Sequence, residues 1–212
     1  LYDHWLRAWR AEGILLAGAR FAVTMTVALS QRIGGLRRQR DRLRALAERD
    51  PLTGLPNRRA LAEVLPRRID EARAQGRPLS VVFADLDRFK AINDRYGHAV
   101  GDEVLVEAAR RLGEHLRGGE MAARHGGEEF VLLLPGADAE RALAAAERIR
   151  AAMSEAPVET RAGPLPVTAS FGVATLRSAD VDARGDGLLA RADAAMYRAK
   201  QAGRNRVLAA PA

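Results

Sequence analysis

Cysteine is absent from this chain of 212 residues. Disulfides, thiolate metal sites and cysteine nucleophiles are therefore excluded together, and the composition is compatible with a reducing compartment. No low-complexity stretch and no repeat of fixed period is present. The length suits one ordinary domain with an extension, and a hydrophobic content of 48% is enough for a real core. Long hydrophobic runs are also scarce. The longest mostly apolar stretch, residues 14–29, has 16 residues and is interrupted by Arg20. That is shorter than the roughly 20 residues of an untilted membrane span. It is followed by arginines rather than by a small-residue cleavage site, so it is not a signal peptide.

Acids are in short supply only in the first quarter of the chain. Residues 1–49 hold ten arginines against four acids, whereas residues 50–212 hold 24 lysines and arginines against 23 acids. The net charge of +7 thus belongs to the N-terminal segment, above all to Arg32, Arg37, Arg38, Arg40, Arg42 and Arg44. A nearly neutral main domain is a poor non-specific nucleic-acid binder. For residues 1–31 two readings fit. One is a membrane helix, whose cytoplasmic end the arginines would mark. The other is a soluble amphipathic helix that packs on a partner. For residues 32–49, Leu29, Leu36 and Leu43 fall seven apart with Leu46 following. A short dimeric coiled coil and a solvated linker helix both fit, with Gly34 and Gly35 weakening the first. The chain opens at Leu1 rather than a methionine, and the expectation is of a fragment or a processed product.

From Asp50 the pattern changes. Asp50-Pro51-Leu52-Thr53-Gly54-Leu55-Pro56-Asn57 is dense in turn formers and ends the preceding helix. Periodicity then predicts helices over 58–75, 100–116, 138–153 and 188–201 and strands over 79–84, 167–175 and 205–209. A hairpin is predicted over 121–134, with Gly126 and Gly127 in its turn. Mixed hairpin and crossover connections imply an α/β domain with a mostly antiparallel central sheet flanked by helices.

Two segments carry the chemistry. Phe83-Ala84-Asp85-Leu86-Asp87 places two acids at the carboxyl end of a buried strand, where an open α/β sheet presents its ligand site. Alternation points both acids to one side. Hard divalent cations favour such oxygens, and magnesium is held by one or two carboxylates plus substrate phosphates. Arg124-His125-Gly126-Gly127-Glu128-Glu129-Phe130 places two acids after a bare turn. Taken alone it is an ordinary hairpin. Paired with the first segment it reads as a split metal site, with Asp85 and Glu128 converging from neighbouring strands.

Gly126-Gly127-Glu128-Glu129-Phe130 resembles the signature of the GGDEF family in its GGEEF form. The resemblance extends in order through Asp50 to Arg59, Asp85 to Lys90, Asn93-Asp94, Gly97-His98, Gly101-Asp102 and Ala192 to Asn205. It implies a nucleotide-cyclase or polymerase-palm-like fold over residues 50–212 and a diguanylate cyclase, which condenses two GTP into cyclic di-GMP and pyrophosphate. It also implies roles. Asp85, Glu128 and Glu129 are the catalytic acids and, with the Leu86 carbonyl, the ligands of two Mg2+ or Mn2+ ions. Asn93 and Asp102 read the guanine edge. Phe89, Lys90, Lys200 and Arg204 complete the substrate site. Two domains must face each other, so a homodimer is implied.

The family's product-inhibition motif, R-x-x-D, is matched by Arg117-Gly118-Gly119-Glu120, with glutamate in place of aspartate. The expectation is of weakened inhibition by cyclic di-GMP. The first residues, from Trp5 to Ile33, resemble the last membrane helix of bacterial seven-helix receptors. That implies a cytoplasmic catalytic domain on an inner-membrane sensor. A non-catalytic receptor for GTP or cyclic di-GMP is the alternative, and a pure dimerisation module a third, although the signature acids are intact. His98 is expected to be packed or hydrogen-bonded, His125 to be structural and Tyr197 to serve core or helix packing.

Overall fold

The computed structural model divides into two units, Leu1–Ala47 and Glu48–Ala212. It describes residues 48–177, 180 and 183–211, and in the first unit only Met25, Gln31, Arg32 and Gly35, each of them helical. The candidate membrane helix and coiled-coil linker otherwise lie outside the described residues. Among the described residues no helix is long and apolar enough to cross a membrane.

The second unit runs α1 (Arg58–Gln75), β1 (Leu79–Leu86), α2 (Phe89–Tyr96), α3 (His98–Glu114), β2 (Met121–Gly126), β3 (Glu129–Pro135), α4 (Ala139–Glu155), β4 (Val158–Thr160), β5 (Gly163–Leu165), β6 (Ala169–Thr175), α5 (Asp186–Gln201) and β7 (Val207–Ala209). The main sheet has five strands in the order β2-β3-β1-β6-β7. Every pairing in it is antiparallel except β6 with β7. This is the architecture expected from the sequence.

Strand β1 is central, and all eight of its residues are buried. Its alternation splits the core. Val82, Ala84 and Leu86 join Val104, Leu105 and Leu112 of α3 and Ile149 of α4 on one face. Val81 and Phe83 join Leu61, Leu65 and Ile69 of α1 and Leu188, Ala192 and Met196 of α5 on the other. The period of two thus assigns each strand side chain to one helical layer. Asn57 starts α1 by accepting from the Arg59 and Ala60 amides, and Asp138 starts α4 by accepting from Arg141. Buried Arg111 of α3 donates to the carbonyls of Met153, Ala156 and Pro157, and so satisfies the end of α4.

Sequence periodicity did not reveal α2, an eight-residue helix, or the small β4-β5 hairpin. The strands of that hairpin are three residues each, too short for an alternation to register. Arg161, between them, donates to Glu103 of α3 from its amide and guanidinium. Tyr197 is 59% exposed rather than in the core, and His98 is exposed at the start of α3. Helix α5 turns its small residues inward, and Tyr197 falls on the opposite side from Ala192, Ala195 and Ala199.

One glycine governs how closely α5 approaches the sheet. A Cβ at Gly172 of β6 would stand 2.0 Å from the Ala192 carbonyl oxygen and 2.1 Å from the Met196 nitrogen. Backbone cannot swing aside as a side chain can. Gly172→Ala is therefore expected to destabilise the domain by roughly 1–3 kcal/mol or more. A lowered urea midpoint and a displaced α5 are the readouts.

Candidate functional site

The acids predicted from the two motifs meet at the ends of β1 and β3. In the antiparallel register Asp85 lies opposite Glu129. Parity puts both on the α1/α5 face, since Val81, Phe83, Val131 and Leu133 pack there. The Leu86 amide donates to the Glu128 carbonyl at 3.3 Å, which places Leu86 main chain beside Glu128. The fourth member comes from α5: Lys200 Nζ lies 2.7 Å from Asp85 Oδ2.

The Asp85 side chain is only 6% exposed, and its other oxygen, Oδ1, is buried with no hydrogen-bond partner among the described residues. Burial raises its pKa; Lys200 pulls the other way without cancelling the effect, and Glu129 and Asp87 add to it. The Glu128 carboxyl is also raised, first by burial and then by the charge of Asp85, with Lys200 again opposing. The site therefore holds negative charge at an energetic disadvantage that a further cation would relieve. A buried orphan carboxylate oxygen among hard oxygen donors fits a divalent cation such as Mg2+ or Mn2+. Among the described residues no three His, Cys, Asp or Glu form a ready-made metal cluster. The protein thus offers a partial ligand set, the kind that magnesium completes with water and phosphate.

Asp87, the second acid of the β1 motif, is buried and otherwise engaged. It accepts from the hydroxyls of Thr168 and Ser170 and from the Asn205 amide. It thereby ties the end of β1 to the loop after α5 that carries Arg204. Arg88, Arg204 and Asn205 adopt left-handed backbone conformations, with φ of 59°, 64° and 43°. They line one groove of about 410 Å³ together with Arg95 of α2. Non-glycine residues in this region are strained, and strain of this kind gathers at functional sites. Arg204 is exposed there, and Lys90 is exposed on the first turn of α2.

Asn93 of α2 is brought against the first turn of α3. A Cβ at Gly101 would fall 1.9 Å from Asn93 Oδ1 and 3.2 Å from Phe89 Cζ. Gly101 is therefore the residue that lets Asn93 and Phe89 come against the first turn of α3, one position before Asp102 in the chain. The motif spacing contains Gly101, but only the tertiary contact reveals its purpose.

Arg124 secures the bare turn. Its guanidinium donates to the Gly127 carbonyl at 2.7 and 3.1 Å, and at 3.0 Å to both oxygens of Asp50 in the opening motif. Asp50 also accepts from the Thr53 amide and hydroxyl. His125 stacks edge-on to Phe83 with centroids 5.2 Å apart. Burial, then the charge of Arg58, lowers its pKa against the pull of Asp193, in keeping with a structural role. Arg117 and Glu120 occupy a separate turn, on a groove of about 390 Å³ that Arg141 and Arg148 also line. Glu120 there accepts from the Arg117 amide at 2.7 Å.

Burial works to raise the Asp50 pKa, but the bonds from Thr53 and Arg124 together bring it below its ordinary value. A depressed carboxylate contributes stability above its unfolded pKa and loses it as pH falls toward the folded one. Asp50→Asn is expected to cost about 1–3 kcal/mol at neutral pH. The gap from wild type should narrow as pH drops through the usual carboxylate range, as followed by urea unfolding.

Comparison with known proteins identifies the family to which this fold and these motifs belong. The sequence profile described as diguanylate cyclase, GGDEF domain, matches residues 47–206. The chain is 43% identical over 158 residues to the diguanylate cyclase DgcP of Pseudomonas aeruginosa, covering 74% of this chain and 23% of DgcP. It is 43% identical over 176 residues to the response regulator PleD of Caulobacter vibrioides, covering 82% of this chain and 38% of PleD. The chain thus spans between about a quarter and two-fifths of these relatives. Among solved structures, the coiled coil and GGDEF domain of DgcB from Caulobacter crescentus, in complex with c-di-GMP, superposes with a TM-score of 0.78 at 32% identity, covering 88% of this chain and 98% of that one. The active GGEEF domain of a diguanylate cyclase from Vibrio cholerae gives 0.69 at 35% identity, covering 74% and 99%. By profile, identity and fold alike, this chain belongs to the GGDEF family of diguanylate cyclase domains.

Proposed function

We propose that this domain condenses two GTP molecules into cyclic di-GMP, releasing two pyrophosphates. The observation that carries the reading is the convergence of Asp85, Glu128 and Glu129 at two adjoining strand ends, with Lys200 beside them.

The reaction is two successive nucleotidyl transfers. In each, a ribose 3′-hydroxyl attacks an α-phosphate and pyrophosphate leaves. Asn93 and Asp102 are assigned to the guanine edge. A carboxylate accepts from the N1–H and N2–H donors, whereas the acceptor at the adenine N1 repels it. Lys90, Lys200 and Arg204 are assigned to the triphosphate, and Phe89 to the substrate site beside them. Asp85, Glu128 and Glu129, with the Leu86 carbonyl, are assigned to hold two divalent cations. Once bound, these would lower the hydroxyl pKa and offset developing charge. Glu129, which pairs with Asp85 across the strands, is assigned to receive the hydroxyl proton or to share a cation. No step needs a covalent protein nucleophile.

One domain supplies one GTP, so catalysis needs two domains face to face, and a homodimer is part of the proposal. Residues 1–31 are assigned to the end of a membrane sensor and residues 32–49 to a helical linker that sets the pairing. The apolar run followed by arginines supports this. On this reading the catalytic domain lies in the cytoplasm at a bacterial inner membrane. The Arg117–Glu120 turn is assigned to product binding. Because Glu120 is drawn onto the Arg117 amide, inhibition by cyclic di-GMP should be weaker than an aspartate would give.

Incubation with GTP and Mg2+ is expected to yield cyclic di-GMP and pyrophosphate, resolved by chromatography. Glu128→Gln and Asp85→Asn should each abolish product. Should wild type held in a dimer by a fused coiled coil still bind GTP without turning it over, the cyclase reading fails and the receptor reading replaces it. Gly101→Ala should displace Asn93 and weaken GTP binding about three- to tenfold, while the fold is retained. Calorimetry with a non-reactive GTP analogue measures this.

A further inference from the structure

We propose that Lys200 is an internal counter-cation that occupies Asp85 until nucleotide arrives, and so makes divalent-cation binding depend on GTP. The inference rests on the reading of Asp85 and Glu128 as cation ligands. It concerns the free protein, whereas the assignment of Lys200 to phosphate concerns the loaded one.

Two features of the geometry carry it. Lys200 Nζ already sits on Asp85 Oδ2 at 2.7 Å, within the reach expected of a charge-assisted hydrogen bond. The burial of the partners is unequal: the Asp85 side chain is 6% exposed and that of Lys200 26%. Asp85 is fixed in the central strand and cannot follow a departing partner. Lys200 stands on the last turn of α5, on a flexible stem with a route to solvent. An ammonium on such a stem is a movable point charge. Only the lysine can leave, so the exchange has one direction.

Charge balance explains why it stays until then. Asp85, Glu128 and Glu129 bring three acids together, and Lys200 is the cation that the structure sets directly on one of them, Asp85, and near enough to Glu128 for its charge to act there. A divalent ion arriving alone must displace the ammonium and is repelled by it. A triphosphate offers the ammonium a more highly charged partner close by. When Lys200 moves to it, Asp85 presents both oxygens, including the orphan Oδ1, to the cation that the nucleotide brings. Nucleotide and cation binding then reinforce each other, and the coupling is reciprocal. The consequence is that free protein does not hold a metal idly, and the acids assemble their ligand set only around substrate.

The test measures Mn2+ affinity, not turnover, by paramagnetic resonance of free Mn2+ at about pH 8, where ordinary carboxylates are ionised. Wild type, Lys200→Met and Lys200→Arg are compared with and without α,β-methylene-GTP, which cannot release pyrophosphate. Wild type should bind Mn2+ weakly alone and more tightly with the analogue. Lys200→Met keeps the stem and removes the charge. It should raise the affinity for Mn2+ alone about tenfold and shrink the gain from the analogue. Lys200→Arg should restore weak binding. Equal Mn2+ affinity in wild type and Lys200→Met, with binding abolished by Asp85→Asn, would overturn the counter-cation role and leave the metal site standing. Absence of Mn2+ binding to any variant, even with the analogue, would overturn both. Thermal unfolding of each variant confirms that the fold is intact.

Discussion

The site depends on like charges held side by side. Asp85 and Glu129 are cross-strand neighbours on one face of the sheet, and Glu128 lies close enough for the charge of Asp85 to disfavour its ionised form. Acids so placed repel each other and resist burial. The fold makes the arrangement tolerable by anchoring it in the most buried strand and by bringing one ammonium from α5. A site of this kind is incomplete by design: its charge is balanced only when further cations and phosphates are present.

The surrounding architecture serves that placement. Gly172 lets α5 lie directly on β6, which is what brings Lys200 within reach of Asp85. Asp87 fastens the loop after α5 to the end of β1 through three donors, and so sets where Arg204 stands. Arg124 joins the opening turn at Asp50 to the carbonyl of Gly127. The bare glycine turn is thus braced from outside, and its acids need not spend side-chain bonds on shaping it. The Asp87 contacts and the Arg124–Asp50 pair are buried or half-buried polar contacts whose partners are far apart in sequence.

These braces also separate duties that composition alone confuses. Asp85 and Asp87 are the same residue type, two positions apart and on one side of the strand. Among the described residues, one keeps an oxygen without a hydrogen-bond partner; the other spends both oxygens on neutral donors. Arg124 and Arg204 likewise differ in that the first is paired with an acid while the second stands exposed on a groove. The chemistry available at each position is decided by which donors the neighbouring strands and loops supply.

Much of this was legible before any coordinates. The strand β1 with its acids at the carboxyl end, the start of a helix at Asp138 and the glycine turn are local features, and local features follow from nearest-neighbour sterics and short-range hydrogen bonds. The spaced motifs likewise marked Asp85, Glu128, Glu129, Asn93, Asp102 and Lys200, because residues bound to one chemistry recur at fixed spacing. What the sequence could not decide were contacts between distant segments. Tyr197 was expected to serve core or helix packing, yet the packing of α5 on Gly172 leaves it exposed. Gly101 looked like spacing until Asn93 was found against it. The pairing of Lys200 with Asp85 arises from residues more than a hundred positions apart, brought together only by the packing of α5 on the sheet. Periodicity and turn chemistry therefore determined which elements form and which residues are candidates. Packing of the sheet against its helices decided which of them face one another, because that depends on the summed fit of surfaces that no single stretch of chain contains.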